Sequence, residues 1–246
     1  MGEMTYRASF LLWALIHTLT LIINIVFFSI VYDNIPQING WDYNKTLVLL
    51  GTSQLLIGIG GATFFCFMYE FNRLIRTGNL DFLLTKPLDI QFLSTIRAVD
   101  IEDLIIIPNA VLVLIIAVAR LEVSNLALNI IGYTLLVISS LIILYAITLM
   151  IQSLAFKAIK VTFAEWLIWN IIMQGQYPIK IFQGSLRLIF MLVIPIGLIT
   201  TVPAEVLMGI FDWKWIGASL GFAISLFIIS RKIFLLGLRS YSSASN

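Results

Sequence analysis

Long uncharged stretches alternate with short polar ones along this chain. A helix needs about 20 mostly apolar residues to cross about 30 Å of hydrocarbon, and several stretches reach or approach that length. Residues 8–32 are the first and 46–69 the second. The third, 104–119, is shorter and follows Asp100, Glu102 and Asp103, acids that suit a helix start. Pro108 falls early enough in it to be tolerated. The fourth uncharged stretch covers 123–156. That exceeds a perpendicular crossing, so it tilts or its first residues form a loop, and the span is taken as 126–156. The last begins at Trp215; its uncharged part ends before Arg231 and Lys232, and the span is expected to reach 236.

Between the fourth and last stretches two segments compete. Residues 161–177 are apolar and aromatic but contain Glu165, Asn170 and Gln174, whereas 188–204 is cleaner but carries Pro195 and Pro203. In one reading 188–204 is the fifth span and 161–177 lies at the inner interface. In the other, 161–177 crosses and 188–204 dips in from the outer side and returns as a re-entrant pair. Non-helical backbone at membrane depth is tolerated only where protein buries it or water reaches it. Both readings give six crossings with both termini in the cytoplasm. The first puts 12 Lys/Arg inside and 3 outside, the second 10 and 5. Both obey the positive-inside rule, the first more fully, and the inverted topology is disfavoured.

Composition agrees with a polytopic, all-α membrane bundle forming a single domain over 1–246. Apolar residues make up 60% of the chain and charged ones 11%, with a mean hydropathy of +1.02. A soluble domain carries about 25% charged residues, and disorder needs low hydrophobicity, so both classes are excluded. A net charge of +2 gives no basis for a nucleic-acid partner. The one cysteine, Cys66, excludes an intrachain disulfide, and the one histidine, His17, excludes a multi-histidine metal site. With no nucleophile beside a base and no ligand cluster, the chain is expected to be no enzyme by itself and to bind no cofactor or metal.

Some polar residues and glycines within the stretches carry expectations. His17 is expected as a neutral group bonded to a neighbouring helix, with Asn24 on roughly the same face. Glu165 either pairs with Lys157 or Lys160 or faces a substrate path. Asn170 and Gln174, one turn apart, are the best candidates for a substrate-facing strip. Gly58, Gly60 and Gly61, extended by Gly51, lack the following lysine of a phosphate-binding loop and read as close helix packing.

The polar segment from Glu70 to Asp103 holds ten of the charged residues. Phe71, Leu74, Ile75 and Gly78 recur at helical spacing, with Glu70, Arg73, Arg76 and Thr77 opposite them. That pattern predicts an amphipathic helix lying in the membrane interface or on a protein surface. Gly78 is placed to end it in the left-handed conformation. Asn79 is placed to cap a second short helix in which Leu80, Leu83 and Leu84 share a face. Pro87 ends that unit, and Asp89 can cap the next helix. A mere connector fits this pattern, and so does a rigid docking element with exposed leucines for a cytoplasmic partner.

The stretch Gly78-Asn79-Leu80-Asp81-Phe82-Leu83-Leu84-Thr85-Lys86-Pro87-Leu88 resembles a motif of the ABC-2 type transporter permeases. Tyr177-Pro178, Ile181-Phe182, Arg187, Ile194-Pro195 and Pro203-Ala204 are similar, in order, to the later part of that family. The resemblance implies the permease subunit of an ATP-driven exporter in a bacterial inner membrane, surrounded by membrane lipid. ATP and Mg would be held by a separate ABC ATPase subunit, and a second permease, identical or related, would complete the path. It assigns ATPase coupling to Gly78, Leu80, Asp81, Leu83, Leu84, Lys86 and Pro87, beside the amphipathic helix with Phe71, Arg73, Leu74 and Arg76. It also implies re-entrant helices on the outer side, which selects the reading with 161–177 as the fifth span. The alternatives are a non-transporting membrane scaffold or a passive channel.

Overall fold

The computed structural model describes residues 2–96, 102–156, 166, 169–170, 172–182, 184, 186, 189–210 and 213–241. It is an all-α membrane bundle, and no strand forms among these residues. Helix α1 (Gly2–Asn34) leads through a tight turn at Asn39 and Gly40, both with positive φ, into α2 (Tyr43–Gly60). Asp42 caps α2 by accepting the Lys45 N–H at 2.9 Å. A π turn, Gly61–Phe65, joins α2 to α3 (Cys66–Arg76) without a break. Short helices α4 (Leu80–Leu84) and α5 (Ile90–Ile96) follow. A 3-10 turn, Glu102–Ile105, opens α6 (Ile106–Ala119). Left-handed Asn125 precedes α7 (Leu126–Gln152), so residues 123–125 belong to a loop, and a 3-10 turn, Ser153–Phe156, extends α7. Two π turns, Ile189–Val193 and Gly197–Thr201, lead to α8 (Val202–Leu207), and α9 (Trp213–Arg239) closes the bundle.

Five helices among the described residues are long and apolar enough to cross a membrane: Phe10–Asn34, Tyr43–Arg76, Glu102–Ala119, Leu126–Phe156 and Lys214–Arg239. Eight of the 17 residues of the expected span 161–177 lie outside the described residues. So do Glu165, Lys157, Lys160, Arg187, Arg97 and Asp100. The end of the bundle bearing the Asn39–Gly40 turn is called upper below, and the end bearing α4 and α5 lower.

Near the upper end, Asn39 donates from Nδ2 to the Lys180 carbonyl at 2.9 Å, and the Lys180 ammonium lies 2.8 Å from a Glu205 carboxylate oxygen. Leu198, Val202 and Val206 bury against Leu136 of α7. Lys180 and the stretch from Leu198 to Leu207 are therefore held to the upper half of the bundle, whereas Ile194 and Pro195 reach down to a cavity beside Met150 and Ile151 of α7. The irregular π turn Gly197–Thr201 is buried, the setting in which non-regular backbone is tolerated at depth.

Gly51 and Gly58 of α2 do what their spacing suggests, whereas a side chain at Gly60 would meet Phe65 and Phe64 of the π turn that follows it. A side chain at Gly51 would meet Leu114 of α6 at 2.8 Å, and one at Gly58 would meet Ile107 at 3.0 Å. At Gly61 it would overlap the Asp103 carboxyl. Small residues thus let α2 and α6 approach closely. The Asp103 carboxylate packed there also lies 3.6 Å from His17 Nε2, and the Trp13 ring stacks on His17 at 5.7 Å. From sequence, Asp103 was legible only as a complement to a helix dipole.

The amphipathic helix with Phe71, Arg73, Leu74 and Arg76 differs from expectation. It is no separate element lying in the interface, because the helix of the second span continues through the π turn to Arg76. Its apolar side is covered by protein: Phe67, Phe71 and Leu74 join Leu80, Leu83, Ile90, Leu149 and Phe234 in one buried cluster. Its polar side holds a Glu70–Arg73 ion pair at 2.8 Å. Phe71→Ala is expected to cost about 3–5 kcal/mol, whereas Phe82→Ala, at a 71% exposed position, should stay within about 0.5 kcal/mol. Thermal unfolding of the two variants in the same detergent checks this. Equal shifts would mean that the cluster does not anchor the lower end.

Candidate functional site

The lower end is built outward from α3. Thr77 N–H bonds to the Arg73 carbonyl at 3.0 Å, and Gly78 follows at φ +70°, a conformation that only glycine adopts without cost. The chain thereby reverses, as the sequence predicts. Asn79 departs from expectation. It sits at the start of α4, but its side-chain oxygen accepts no helix N–H, and its amide donates to the Thr77 hydroxyl at 2.8 Å.

Within α4, Leu80 and Leu83 are buried in the cluster with Phe71 and Phe234. They hold the element down and offer no surface to a partner. Leu84 does not share their burial: it is 44% exposed. The exposed apolar surface is instead made by Phe82, Leu84 and Leu88, flanked by exposed Lys86 and Pro87. Phe82 and Leu88 were missed because the leucines of one turn were grouped on a single face. A residue two positions from Leu80 points away from it on a 100° helical wheel, and that signal was present. Asp81 is half-buried beside Tyr241. The Tyr241 phenol is pushed above its usual range first by burial, then by the Asp81 charge.

Beyond Pro87 a polar network ties this element to the spans. Asp89 accepts the Phe92 N–H at 3.1 Å through Oδ1, capping α5 as expected, and accepts from Arg231 of α9 at 2.6 Å through Oδ2. The Arg231 guanidinium also donates to Oε1 of buried Gln91 at 3.0 Å. Gln91 in turn donates to the Tyr145 hydroxyl of α7 at 2.9 Å, and that hydroxyl lies 3.0 Å from the Thr95 hydroxyl. Side chains from α5, α7 and α9 thus share charge-assisted and neutral hydrogen bonds at one joint. No local pattern reveals it, since Asp89 and Arg231 are 142 positions apart.

Of the residues assigned to a substrate path, Asn170 and Gln174 are not part of this joint. Glu165 lies outside the described residues. Asn170 donates its amide to the Trp166 carbonyl at 2.8 Å, within its own segment, and Gln174 is exposed. Among the described residues no cluster of His, Cys, Asp and Glu could hold a metal ion.

The Asp89 carboxyl is held below its usual range, chiefly by the hydrogen bond from Arg231. A lowered folded-state value means that the contribution to stability is complete above the unfolded value, about 3.9. It is lost as pH falls through the folded value. The stability difference between wild type and Asp89→Asn should therefore be flat through neutral pH and vanish only in strong acid. Melting of both in detergent across pH measures it; a difference that changes between pH 6 and 8 would assign the titration to another group.

Against known proteins, the family model described as "ABC-2 family transporter protein" matches residues 18–245. No curated protein and no solved structure matches the chain.

Proposed function

The chain belongs to the ABC-2 family of transporter proteins, and from that premise we propose that it is the permease subunit of an ABC exporter driven by a separate ATPase. Membership makes it a membrane component of an ABC transporter. The observation that carries the finer reading is the lower end. An exposed apolar patch of Phe82, Leu84 and Leu88 stands on an element whose other face, Leu80 and Leu83, is locked into the bundle. Such a patch, small and rimmed by Thr85 and Lys86, suits a groove on a partner.

The mechanism is mechanical. ATP binding closes the partner dimer and displaces the patch. Because α4 packs on Phe71 and Phe234, and α5 is tied to Arg231 and Tyr145, the displacement reaches α7 and α9 without a flexible intermediary. ATP and Mg belong to the partner, and a second permease, identical or related, supplies the other half of the path.

Charge and geometry together support one topology. The lower end is cytoplasmic and the upper end external, in accord with the positive-inside rule. The hydrogen bond from Asn39 to the Lys180 carbonyl supports an external Lys180. It thereby supports 161–177 as the fifth span, 188–204 as re-entrant, and both termini inside.

Co-purification with an ABC ATPase tests the reading. Wild type should recover the ATPase, and Phe82→Glu combined with Lys86→Glu should lose it while the permease remains folded. Failure of the wild type to recover any ATPase would favour a scaffold role. Retention by the double variant would remove the patch from the interface. Separately, Lys180→Cys should react with an impermeant thiol reagent from outside intact cells, with the native Cys66 replaced by serine. Reaction from the inside only would restore 188–204 as the fifth span.

A further inference from the structure

A cleft of about 620 Å³ opens at the lower end between the π turn, α5, α7 and α9. That volume lies within the range of small-molecule sites, about 300–1,000 Å³. Its wall is apolar at Phe64, Phe92, Ile96 and Phe227, and its polar edge carries Asp89 and Arg231.

Three helices fix its depth independently. At about 1.5 Å per residue, Phe64 lies about 30 Å below the start of α2 at Tyr43. Tyr145 lies about 30 Å below the start of α7 at Leu126, and Arg231 about 27 Å below the start of α9 at Trp213. These depths equal the hydrocarbon thickness of a bilayer, about 30 Å. Because α7 and the turn that extends it continue past Tyr145 to Phe156, the aromatic wall stands in the lower part of the acyl region, with the Arg231 guanidinium on its headgroup side.

Most of the remaining bonding capacity of the polar edge is for an anion. Asp89 accepts from the Phe92 and Gln91 N–H groups and from Arg231, and these take three of its about four acceptor sites. Two of the five guanidinium donors are used, on Asp89 and Gln91, and the rest have no partner among the described residues. The Arg231 side chain is 42% exposed, and the neighbouring Lys232 is exposed and adds positive charge. A guanidinium fork presents paired donors that match phosphate oxygens. Basic pockets between spanning helices at the cytoplasmic face suit anionic lipid headgroups.

We propose that this cleft binds an anionic phospholipid of the inner leaflet, its phosphate on the open donors of Arg231 and one acyl chain along Phe64, Phe92 and Phe227. The inference rests on the chain crossing a bilayer with its lower end inside, and on neither the ATPase partner nor the direction of transport.

Native mass spectrometry of the full-length chain in detergent tests it, with phosphatidylglycerol or phosphatidylcholine of identical acyl chains added. Phosphatidylglycerol adducts should exceed phosphatidylcholine adducts by about fivefold. Arg231→Gln should abolish that preference and Arg231→Lys should keep most of it. Ile96→Glu, which places a carboxylate at an exposed part of the wall and leaves the Asp89–Arg231 pair in place, should abolish it too, and it carries the test if Arg231→Gln fails to fold. Equal binding of the two lipids would overturn the proposal, as would a preference that survives Ile96→Glu. Displacement of the lipid by an equal concentration of inorganic phosphate would make this a site for free anions and overturn the lipid assignment.

Discussion

Phe71, at the foot of the helix that continues the second span, has the rings of Phe67, Phe156 and Phe234 within 4.9, 5.3 and 5.5 Å. Those rings come from α3, from the turn that extends α7 and from α9, so one buried aromatic contact binds three long elements at their lower ends. Aromatic rings bury large areas and favour tilted or edge-on contacts of this kind. Leu80 and Leu83 close over the same cluster. That closure brings Asp89 within reach of Arg231 and leaves Phe82 and Leu88 with nowhere to go but outward. Without Phe71, neither the exposed patch nor the polar joint has a defined position relative to the spans.

The spanning helices obey a different constraint. In hydrocarbon, polar groups must find partners within the protein. Thr52, Ser140 and Thr148 turn their hydroxyls back to carbonyls four residues earlier at 2.8, 2.8 and 2.9 Å. Tyr32 and Thr46 bond to each other at 2.7 Å between α1 and α2. The glycine face of α2 is the other half of that economy. It removes side chains so that α6 can approach, and at Gly61 it leaves room for the carboxylate that faces His17. Small residues at this seam and large rings at the lower end divide the work: one brings helices together, the other joins them to α4.

The sequence was legible where physics acts locally. Length and hydropathy predicted the long helices, glycine at position 78 predicted the chain reversal, and Asp89 announced a helix start. These depend on solvation and on the dihedral freedom of single residues, which neighbours in sequence report faithfully. The amphipathic pattern around Phe71 was also legible, but not what it faces. An apolar stripe on a helix seeks burial, and lipid and protein both provide it, so the pattern leaves open a membrane interface or a protein surface, and the tertiary structure covers the stripe with protein. The leucines of α4 posed the same ambiguity, and burial of Leu80 and Leu83 with exposure of Phe82 reversed the expected outer face.

By itself, then, the sequence determined that this is an all-α membrane protein and where most of its long helices lie, because bilayer thickness and backbone geometry impose periods that the order of residues preserves. Tertiary structure alone decided that α3 continues a span, that Asp103 faces His17, and that Asp89, Gln91, Tyr145 and Arg231 form one joint. Each of these couples residues through charge or packing that a local pattern does not record. Such pairings leave no periodic trace, since any acid and any arginine are compatible until the rings of Phe71 and Phe234 set the distance between them.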